Sequence, residues 1–384
     1  MIAPDPISPP LSVSVIIPTY NRAEFVAEAL DAVLSQLRDG DEVIVVNDGS
    51  KDNTLDVLSP YKDRIRLINQ DNAGNSAALN HALPEVTCDL IWIVDDDDIV
   101  CPDARDQLVS ALVENPEAGF SYGRHDRFTD DAGGQGRTFM GTGYWFECPP
   151  ESFLCATLED FFAHQCGMMV RKEVYDQVGL FVDTFSQDYE MLIRIALHAL
   201  PVEVPGILFH QRQHMGTRGS SISPVRIEER NTAWRDTSQA IVKKFLETMP
   251  LELFLPERKI DTEVSRRRAH LQRAVIMARH ALWQDSARAF TEAASASGDP
   301  LSATDIEVIR RISQSKYETD SVFSDQMAQQ AFSELAAHSP IGKSIARQIG
   351  RSFVWRGRKA LQDGNLRAAF QYLNLISRMW VLGR

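Results

Sequence analysis

Two hydrophobic periods alternate over the first 120 residues, and this alternation constrains the fold more than any other feature of the chain. Short β-branched runs, such as residues 13–17 and 42–46, are followed by stretches in which apolar residues recur at helical spacing. Apolar strands that alternate with helices indicate a mostly parallel sheet covered by helices on both faces. The sequence therefore predicts an α/β fold, whose ligands bind beyond the carboxyl ends of the strands.

Polar, turn-forming residues follow each of the four predicted strands of this region. Because the carboxyl ends of parallel strands lie at one edge of a sheet, we expect the four loops to meet there and form the functional site. The four segments are Pro18-Thr19-Tyr20-Asn21, Asn47-Asp48-Gly49-Ser50, Asn72-Ala73-Gly74-Asn75 and Asp95-Asp96-Asp97-Asp98.

The four consecutive aspartates at 95–98 are the strongest functional signal in the chain. Packed carboxylates repel one another, so the run costs free energy unless a cation compensates it. Hard divalent cations such as Mg²⁺ or Mn²⁺ take carboxylate oxygens as ligands, and Mg²⁺ keeps substrate phosphates among its other ligands. The alternative is a solvated acidic turn in which Asp98 or Asp103 caps the next helix.

Residues of the first three loops could contact a nucleotide. The Asp48 carboxylate could accept the imide N–H of uracil or thymine, or the N1–H of guanine, while Tyr20 stacks on the base. Gly74 lies where a helix begins, which suits the close approach of a phosphate or a sugar. Both segments are also good turns in the absence of any ligand, and this alternative stays open.

Two later segments carry groups suited to proton transfer or phosphate binding. Asp188 precedes an apolar helix and could take a proton from an acceptor hydroxyl, or it could simply cap that helix. The run from His210 to His214 alternates polar and basic residues, and it could meet a diphosphate or complete a metal shell. An exposed edge strand is the alternative for this run.

The composition excludes several classes of protein. The net charge of −13 argues against a general nucleic-acid binder, which carries a basic footprint. The five cysteines contain no CxxC pair, which argues against a disulfide framework or structural zinc and favours a reducing, cytoplasmic location. No apolar run approaches the roughly 18–20 residues that span a bilayer, so we expect no membrane-spanning segment.

Three regions are expected along the chain: a loose tail at 1–11, an α/β domain at 12–225 and a helical domain at 226–384. Within the helical region, residues 281–290 resemble residues 360–370, and both predict a helix, a tight turn and a second helix. Tetratricopeptide-type packing is one interpretation, and helical hairpins of another kind are the alternative. These hairpins could also support a homo-oligomer.

The C-terminal segment from Ile341 to Arg384 differs in charge from the rest of the chain. It carries nine Lys or Arg residues against one acidic residue, Asp363, and its aromatic residues are interleaved with the cations. A basic, aromatic helical segment suits peripheral contact with an anionic membrane. The alternative is a helical hairpin that buries Phe353, Trp355, Met379 and Trp380 and exposes its arginines.

Taken together, residues 12–221 resemble the family-two (GT2) glycosyltransferases, which adopt the GT-A fold, a Rossmann-like mixed and mostly parallel sheet flanked by helices. The resemblance implies that nucleotide is held by Pro18, Thr19, Tyr20, Asn21 and Asp48. It also implies an Asp-x-Asp metal motif. In this chain Asp95 and Asp97 fill the motif, Asp96 occupies its variable position beside the donor, and Asp98 is an additional carboxylate.

The same resemblance assigns the remaining site residues. Asp188 corresponds to the catalytic base of a Glu-Asp pair, with Gln187 in place of the glutamate. Arg212 and His214 match a late Arg-x-His pattern that completes the metal or diphosphate site. Gly74 and Asn80 fall in the donor region, where Leu79 replaces an arginine that is common in the family. Trp145 lies among residues whose shape sets the acceptor.

The resemblance implies an inverting, metal-dependent transfer of a sugar from a UDP-sugar, or a dTDP- or GDP-sugar, to the hydroxyl of a glycan or lipid-linked acceptor. We expect a role in the synthesis of a cell-surface polysaccharide or glycoconjugate. The alternatives are a non-catalytic scaffold or glycan-binding protein with this fold, and a sugar nucleotidyltransferase. Residues 18–22 lack the glycines of a nucleotidyltransferase loop, and no G-x-G-x-x-G follows the first strand, which disfavours a dehydrogenase.

Overall fold

The computed structural model describes residues 11–131, 136–213, 230–314, 319–323 and 325–381. The chain divides into two compact units. Unit 1 comprises Met1–Phe153 and Phe161–Trp234, and unit 2 comprises Leu154–Asp160 and Arg235–Arg384. Within the described ranges, every helix is too short or too polar to cross a bilayer.

The described part of unit 1 is built on a mixed, nine-stranded sheet. Its strands are β1 (Val13–Thr19), β2 (Glu42–Asn47), β3 (Arg66–Asn69), β4 (Leu90–Ile93), β5 (Ile99–Val100), β6 (Phe120–Asp130), β7 (Arg137–Thr142), β8 (Met168–Arg171) and β9 (Pro201–Arg212). Their order is β3-β2-β1-β4-β8-β6-β9-β5, and β7 pairs with β6. Since β3, β2, β1 and β4 are mutually parallel, their carboxyl ends lie at one edge.

Helices follow the strands in the way that the hydrophobic periods predict. They are α1 (Val26–Leu34), α2 (Thr54–Leu58), α3 (Asn75–Ala82), α4 (Ala104–Glu114), α5 (Phe153–Glu159), α6 (Lys172–Val178) and α7 (Gln187–His198). The buried face of α1, which includes Leu30 and Val33, packs in one core with Val13, Val15 and Ile17 of β1. Alternate residues of a strand point to the same face, and each buried aliphatic side chain contributes about 1.5–3 kcal/mol.

The α/β architecture predicted from the sequence is confirmed. The differences are local, and they occur where short polar turns interrupt a hydrophobic run. For example, β8 begins only at Met168, because residues 165–167 form a 3-10 turn that brings Gln165 beside Asp95 at the end of β4.

Unit 2 consists mainly of helices packed in antiparallel pairs. With α8 (Arg230–Thr248), which begins in unit 1, the helices are α9 (Glu263–Arg279), α10 (Trp283–Ala296), α11 (Ala303–Arg310), α12 (Gln326–His338), α13 (Pro340–Ser352), α14 (Val354–Gln362) and α15 (Leu366–Val381). Sequence neighbours pack together, as α9 with α10, α12 with α13 and α14 with α15. The prediction of helical hairpins is confirmed.

The two similar segments of the helical region form turns of the same kind. Ala281 and Gly364 both adopt the left-handed conformation, with φ of 57° and 74°. After each of them, an N–H returns to a carbonyl five residues earlier: Leu282 to Met277 at 2.9 Å and Asn365 to Ala360 at 2.8 Å. This hydrogen bond is typical of a Schellman helix end, which explains why the two sequences resemble each other at the turn.

A buried group of charged and polar side chains joins the short segment at 154–160 to the helices of unit 2. The Glu159 side chain is 1% exposed and lies 2.9 Å from Arg311 and 3.6 Å from Arg279, whose side chain is also 1% exposed. Gln272 donates a further hydrogen bond to Glu159 at 2.7 Å. A buried carboxylate needs such partners, because an unpaired charge in the interior is strongly destabilising.

The hairpin alternative predicts that four large C-terminal side chains are buried, and this holds for two of them. Phe353 and Met379 are buried, as the hairpin alternative expects, while the membrane contact of the segment stays a prediction. Trp355 is 46% exposed, and its indole N–H donates to the Ser313 hydroxyl at 3.0 Å. The side chain of Trp380 lies outside the described residues.

Candidate active site

The loops after β1 and β2 are tied together by their backbones. Asn21 has a φ of 52°, an unusual left-handed conformation for a residue with a side chain. Its N–H donates to the Ser50 hydroxyl at 2.9 Å, and its side-chain oxygen accepts the N–H of Lys51 at 2.7 Å. The Asp48 N–H donates to the carbonyl of Thr19 at 2.9 Å. Thr19 and Asn21 are therefore fixed beside the second loop, and the half-buried Tyr20 lies between them.

The Asp48 carboxylate joins the second loop to the third. It accepts hydrogen bonds from the side chains of Gln70 at 2.7 Å and Asn72 at 3.0 Å. It also accepts the backbone N–H groups of Ala73 and Gly74, both at 2.8 Å. These four donors use the four acceptor positions that a carboxylate offers.

Asp48 consequently occupies the N-terminus of α3, where we expected a phosphate or sugar to approach Gly74. A carboxylate is stabilised there by the helix dipole and by unpaired N–H groups. Gly49 allows this contact. Its φ is 72°, and a Cβ atom on it would lie 2.7 Å from the Asn72 nitrogen. The base contact of Asp48 stays a prediction, and it would have to share an acceptor position that is already used.

The aspartates after β4 have different sets of neighbours. The Asp95 carboxylate accepts a hydrogen bond from the Gln165 amide at 2.7 Å, and its N–H donates to the Cys166 sulfur at 3.2 Å. Asp96 lies on the side of the first loop, 3.6 Å from Arg22 Nε. Asp98 is 3% exposed and accepts the Arg212 N–H at 2.9 Å and the Cys166 thiol at 3.4 Å.

Burial and mutual repulsion make this cluster difficult to ionise. Burial, and secondly the nearby Asp97, raise the pKa of Asp95 to about 6 and that of Asp96 to about 8. The same two causes raise the pKa of Asp98 well above its ordinary value. Repulsion between packed carboxylates is the energy that a divalent cation relieves.

The donor atoms at this point fit a hard divalent cation. One oxygen each from Asp95 and Asp98 and the Cys166 sulfur lie within 4.8 Å of one another, and Asp97 lies beside them in the chain. Asp98 already accepts two hydrogen bonds, one from the Arg212 N–H and one from the Cys166 thiol. Mg²⁺ and Mn²⁺ prefer such oxygens, whereas the thiol is a soft ligand that neither ion selects.

Arg212 does not occupy the position that we expected for a diphosphate ligand. Its side chain is 3% exposed, and its guanidinium lies 4.7 Å from each of the rings of Phe25 and Phe128. The same group pairs with Glu28 at 2.6 Å and with Asp130, and its Nε donates to the Asp97 carbonyl at 2.9 Å. Its contacts hold the aspartate loop in place and leave the guanidinium enclosed by protein. His214 lies outside the described residues.

Arg22 is the cation that sequence reasoning missed. It directly follows the first loop, its side chain is 24% exposed, and it lies 3.6 Å from Asp96 and 4.0 Å from Asp97. Its position immediately after Asn21 was the available signal, since a cation there must lie at the carboxyl edge of the sheet. The contacts that Gln165 and Cys166 make with Asp95 were not predicted either.

Asp188 is the second residue of α7, directly after Gln187. Its carboxylate accepts the following N–H, that of Tyr189, at 2.9 Å. Its charge is close enough to Asp95 to contribute to the raised pKa of that residue. The structure therefore brings Asp188 to the aspartate cluster, where a base acting on an acceptor would be useful.

Asn80, to which we assigned a contact with the nucleotide-sugar donor, holds the loop before α7. The side chain of Asn80 donates to the Phe181 carbonyl at 2.9 Å and accepts the Phe181 N–H at 2.7 Å. Ser76 donates to the Val182 carbonyl at 3.2 Å. With its amide used in this way, Asn80 positions the loop that leads to Asp188, and the donor contact assigned to it stays a prediction.

Trp145 belongs to an aromatic cluster of unit 1. Its ring stacks on Tyr122 at 5.5 Å and meets the edge of Phe162 at 5.5 Å, and the Arg124 guanidinium lies 5.2 Å from it. Its buried indole N–H has no hydrogen-bond partner within the described ranges. The acceptor contact predicted for Trp145 stays a prediction.

Comparison with known proteins addresses the family directly. Residues 14–179, from β1 to just beyond α6, match the model of the family described as "Glycosyl transferase family 2". Residues 14–179 belong to this family. The GT2 resemblance seen in the sequence is thereby confirmed, and the matched range contains all of the four loops.

Similar proteins agree with this assignment. An uncharacterized glycosyltransferase of Rickettsia felis is 29% identical over 229 residues, which is 58% of this chain and 37% of the relative. Glycosyltransferase GlyA of Streptococcus pneumoniae is 31% identical over 177 residues, or 45% of this chain and 22% of the relative. The chain thus spans only about a third or less of the length of these relatives.

The fold has a counterpart among solved structures. A crystal structure of S. aureus TarS, residues 1–349, matches with a TM-score of 0.51 and 14% identity, covering 95% of this chain and 92% of that chain. At this identity the likeness concerns the fold alone. With the family match, it confirms the GT-A type of architecture that the sequence predicts.

Proposed function

We propose that the chain is an inverting glycosyltransferase that moves a sugar from a nucleotide-diphosphate sugar to an acceptor hydroxyl. The observation that carries the proposal is the approach of Asp188 to the aspartate cluster of a family-two sheet, beside the partly exposed cation Arg22. This arrangement provides a base for the acceptor and a place for a diphosphate within one site. UDP is the nucleotide we favour, with dTDP or GDP as alternatives.

A divalent cation, Mn²⁺ or Mg²⁺, belongs to this proposal. Asp95 and Asp97 would hold it, because their oxygens suit a hard ion and their mutual repulsion requires compensation. When bound, such an ion neutralises charge on a diphosphate leaving group. Asp98 and Arg212 would keep these ligands in place. The Arg212 N–H donates to the Asp98 carboxylate, and its Nε donates to the Asp97 carbonyl.

The remaining chemistry falls to Asp188 and Arg22. Asp188 takes the proton of the acceptor hydroxyl while its oxygen bonds to the anomeric carbon. The bond from that carbon to the diphosphate oxygen breaks, and the nucleoside diphosphate leaves with the electron pair. Attack from the opposite face inverts the configuration. We move the charge-stabilising role that the sequence suggested for Arg212 to Arg22, and we retain His214 as a candidate for the same role.

The partners proposed here follow from this chemistry. A glycan or lipid-linked glycan would be the acceptor, and a cell-surface polysaccharide or glycoconjugate the product. We retain a cytoplasmic location, peripheral contact with a membrane and a homo-oligomer through the helical region as proposals.

A donor panel tests the proposal. The protein is incubated with Mn²⁺ or Mg²⁺ and UDP-, dTDP- and GDP-sugars, and nucleotide release and thermal stability are measured. Stabilisation by one nucleotide class that requires the metal and is lost in Asp97→Ala supports the proposal. Asp176→Ala, an exposed carboxylate of α6, is the matched control. If no donor binds or is hydrolysed, the protein is better described as a scaffold or glycan-binding member of the family.

A further inference from the structure

The outward face of the hairpin formed by α14 and α15 carries an unusual set of apolar side chains. Leu366, Phe370 and Leu373 are 71%, 71% and 56% exposed. They lie four and three residues apart on α15, so they form one stripe along the helix. Leu361 near the end of α14 is a further exposed apolar residue, at 50%. We name these four residues the hairpin stripe.

The stripe is not a consequence of a poorly formed helix. The opposite face of α15 packs normally, since Ala369, Tyr372 and Leu375 are all buried. The helix is therefore apolar on two sides, with one side used for the core of unit 2. Exposed apolar side chains grouped along one face of a helix mark interaction surfaces in soluble proteins.

Both helices that carry the stripe also carry exposed cations. Arg358, Lys359 and Arg367 are exposed, and none of them has an ion-pair partner among the residues that the structure describes. The acidic residue Asp363 lies in the turn between the helices. Positive charge around exposed leucine and phenylalanine is the pattern of helices that lie in the interface of an anionic membrane.

Trp355 adds a second feature of an interfacial helix. It lies in the first turn of α14, 46% exposed, and the Arg356 guanidinium is 5.0 Å from its ring. Its indole N–H is already satisfied by Ser313, so the exposed part of the ring is the apolar part. Tryptophan with a nearby arginine is favoured at the level of lipid headgroups.

We propose that the α14–α15 hairpin is a docking surface for an anionic lipid bilayer, with the hairpin stripe entering the headgroup region and the three cations contacting lipid phosphates. A second copy of the chain fits this surface less well, because a symmetric contact would place the same cations against one another. The proposal concerns a surface of unit 2, and it stands or fails independently of the proposed sugar transfer.

Vesicle co-sedimentation of the full chain tests the proposal. Vesicles of phosphatidylcholine alone are compared with vesicles that contain phosphatidylglycerol, at low and at high salt. We expect binding to the anionic vesicles, weaker binding as salt rises, and little binding to the neutral vesicles. Absence of binding to the anionic vesicles, or equal binding to both kinds, would overturn the proposal.

Two sets of substitutions locate the surface. The stripe set is Leu366→Gln, Phe370→Gln and Leu373→Gln, and the charge set is Arg358→Gln, Lys359→Gln and Arg367→Gln. We expect each set to weaken binding by about tenfold or more, since each cation and each apolar side chain contributes. Because all six side chains are exposed, both variants should retain the thermal stability of the parent protein.

Controls of matched chemistry are available on other surfaces. Val113 and Leu180 are 58% and 55% exposed apolar residues, and Lys259 and Arg288 are exposed cations. Their replacement by Gln should leave vesicle binding unchanged, and an equal loss in these controls would contradict the assignment to the hairpin. If the stripe set instead abolishes a dimer seen by sedimentation velocity and leaves vesicle binding intact, the surface binds a second copy, and the membrane proposal is wrong.

Discussion

The backbone N–H of Arg212 donates to the buried Asp98 carboxylate at 2.9 Å. The Arg212 side chain returns to the same loop, because its Nε donates to the Asp97 carbonyl at 2.9 Å. One residue at the end of β9 therefore holds the aspartate loop at two points. Positioning of this kind matters when a site must present carboxylates to a cation in a fixed geometry.

Replacement of Arg212 by Met tests this relationship. The change removes a buried guanidinium, but Glu28 and Asp130 are partly exposed and both also pair with Arg137, so the loss should cost about 1–3 kcal/mol. We expect the free energy of unfolding, measured in urea, to fall by that amount. Arg38→Met, at an exposed salt bridge with Asp106, should change it by less than about 1 kcal/mol. A stable Arg212→Met variant that lost only nucleotide binding would restore Arg212 as a diphosphate ligand.

Asp48→Asn separates the structural role of Asp48 from its predicted contact with a base. The amide presents N–H groups to the donors of α3, and we expect a loss of about 2–3 kcal/mol in the absence of nucleotide. Thermal unfolding without ligand is the measurement. Asp71→Asn in the same loop, at an exposed position, is the control. Unchanged stability with weaker nucleotide binding would mean that Asp48 serves mainly as a ligand for the base.

The sequence was sufficient to predict the sheet and the meeting of its four loops, because both follow from hydrophobic periods and strand direction. It was insufficient to decide which polar side chains remain available in that place. Asp48 and Asn80 are both used by backbone groups of other loops, of residues 73 and 74 and of residue 181. Such contacts depend on how loops from different strands are placed relative to one another in three dimensions. A local sequence pattern carries no information on that placement.

The exchange of roles between Arg22 and Arg212 has the same origin. Arg212 is enclosed because Glu28 of α1 and Asp130 of β6, far apart in the chain, meet around it. Arg22 follows a loop whose turn at Asn21 directs the chain across the edge of the sheet. Spacing alone would favour Arg212, which matches a known pattern, over Arg22, which matches none.

Arg22→Gln should weaken the binding of a nucleoside diphosphate by about tenfold, because it removes a partly exposed cation next to the cluster. Since Arg22 is only loosely paired, stability should change by no more than about 0.5 kcal/mol. Calorimetric titration with UDP and Mn²⁺ measures the first effect, and thermal unfolding the second. Arg64→Gln is the control, because Arg64 is a cation of the same unit that contacts the Leu34 carbonyl and not the aspartate cluster. Equal affinity in Arg22→Gln and the parent would remove Arg22 from the site.

The raised pKa values of Asp95 and Asp96 give the metal-free protein a predictable pH dependence. Both groups ionise near pH 4 in the unfolded chain, but near pH 6 and pH 8 in the folded protein. Over this range the folded protein therefore binds more protons than the unfolded chain does. The free energy of unfolding consequently declines as pH rises from about 4 to about 8. Double replacement by Asn should flatten the decline in urea unfolding, and an unchanged slope would show that other groups cause it.

A bound cation should reverse this trend, since it favours the ionised carboxylates and competes with protons. We expect the increase in melting temperature caused by Mn²⁺ to be larger at pH 8 than at pH 6, and to be absent in Asp97→Ala. Ca²⁺ at the same ionic strength controls for a general effect of divalent charge. An increase that is independent of pH, or that survives in Asp97→Ala, would place the metal elsewhere.

Glu159→Gln examines the buried group of unit 2, where Glu159 contacts Arg311, Arg279 and Gln272. The substitution removes the charge but keeps the volume, so that the buried Arg279 keeps only Asp160 as a carboxylate partner and the partly exposed Arg311 loses its own. We expect unfolding in urea, followed by circular dichroism, to require about 3–5 kcal/mol less free energy. Glu252→Gln, at an exposed position of the same unit, should be neutral. Because a fully replaced buried pair is often neutral, Glu159→Leu combined with Arg311→Leu should recover part of the loss, and a larger loss in the double variant would contradict a pairwise role.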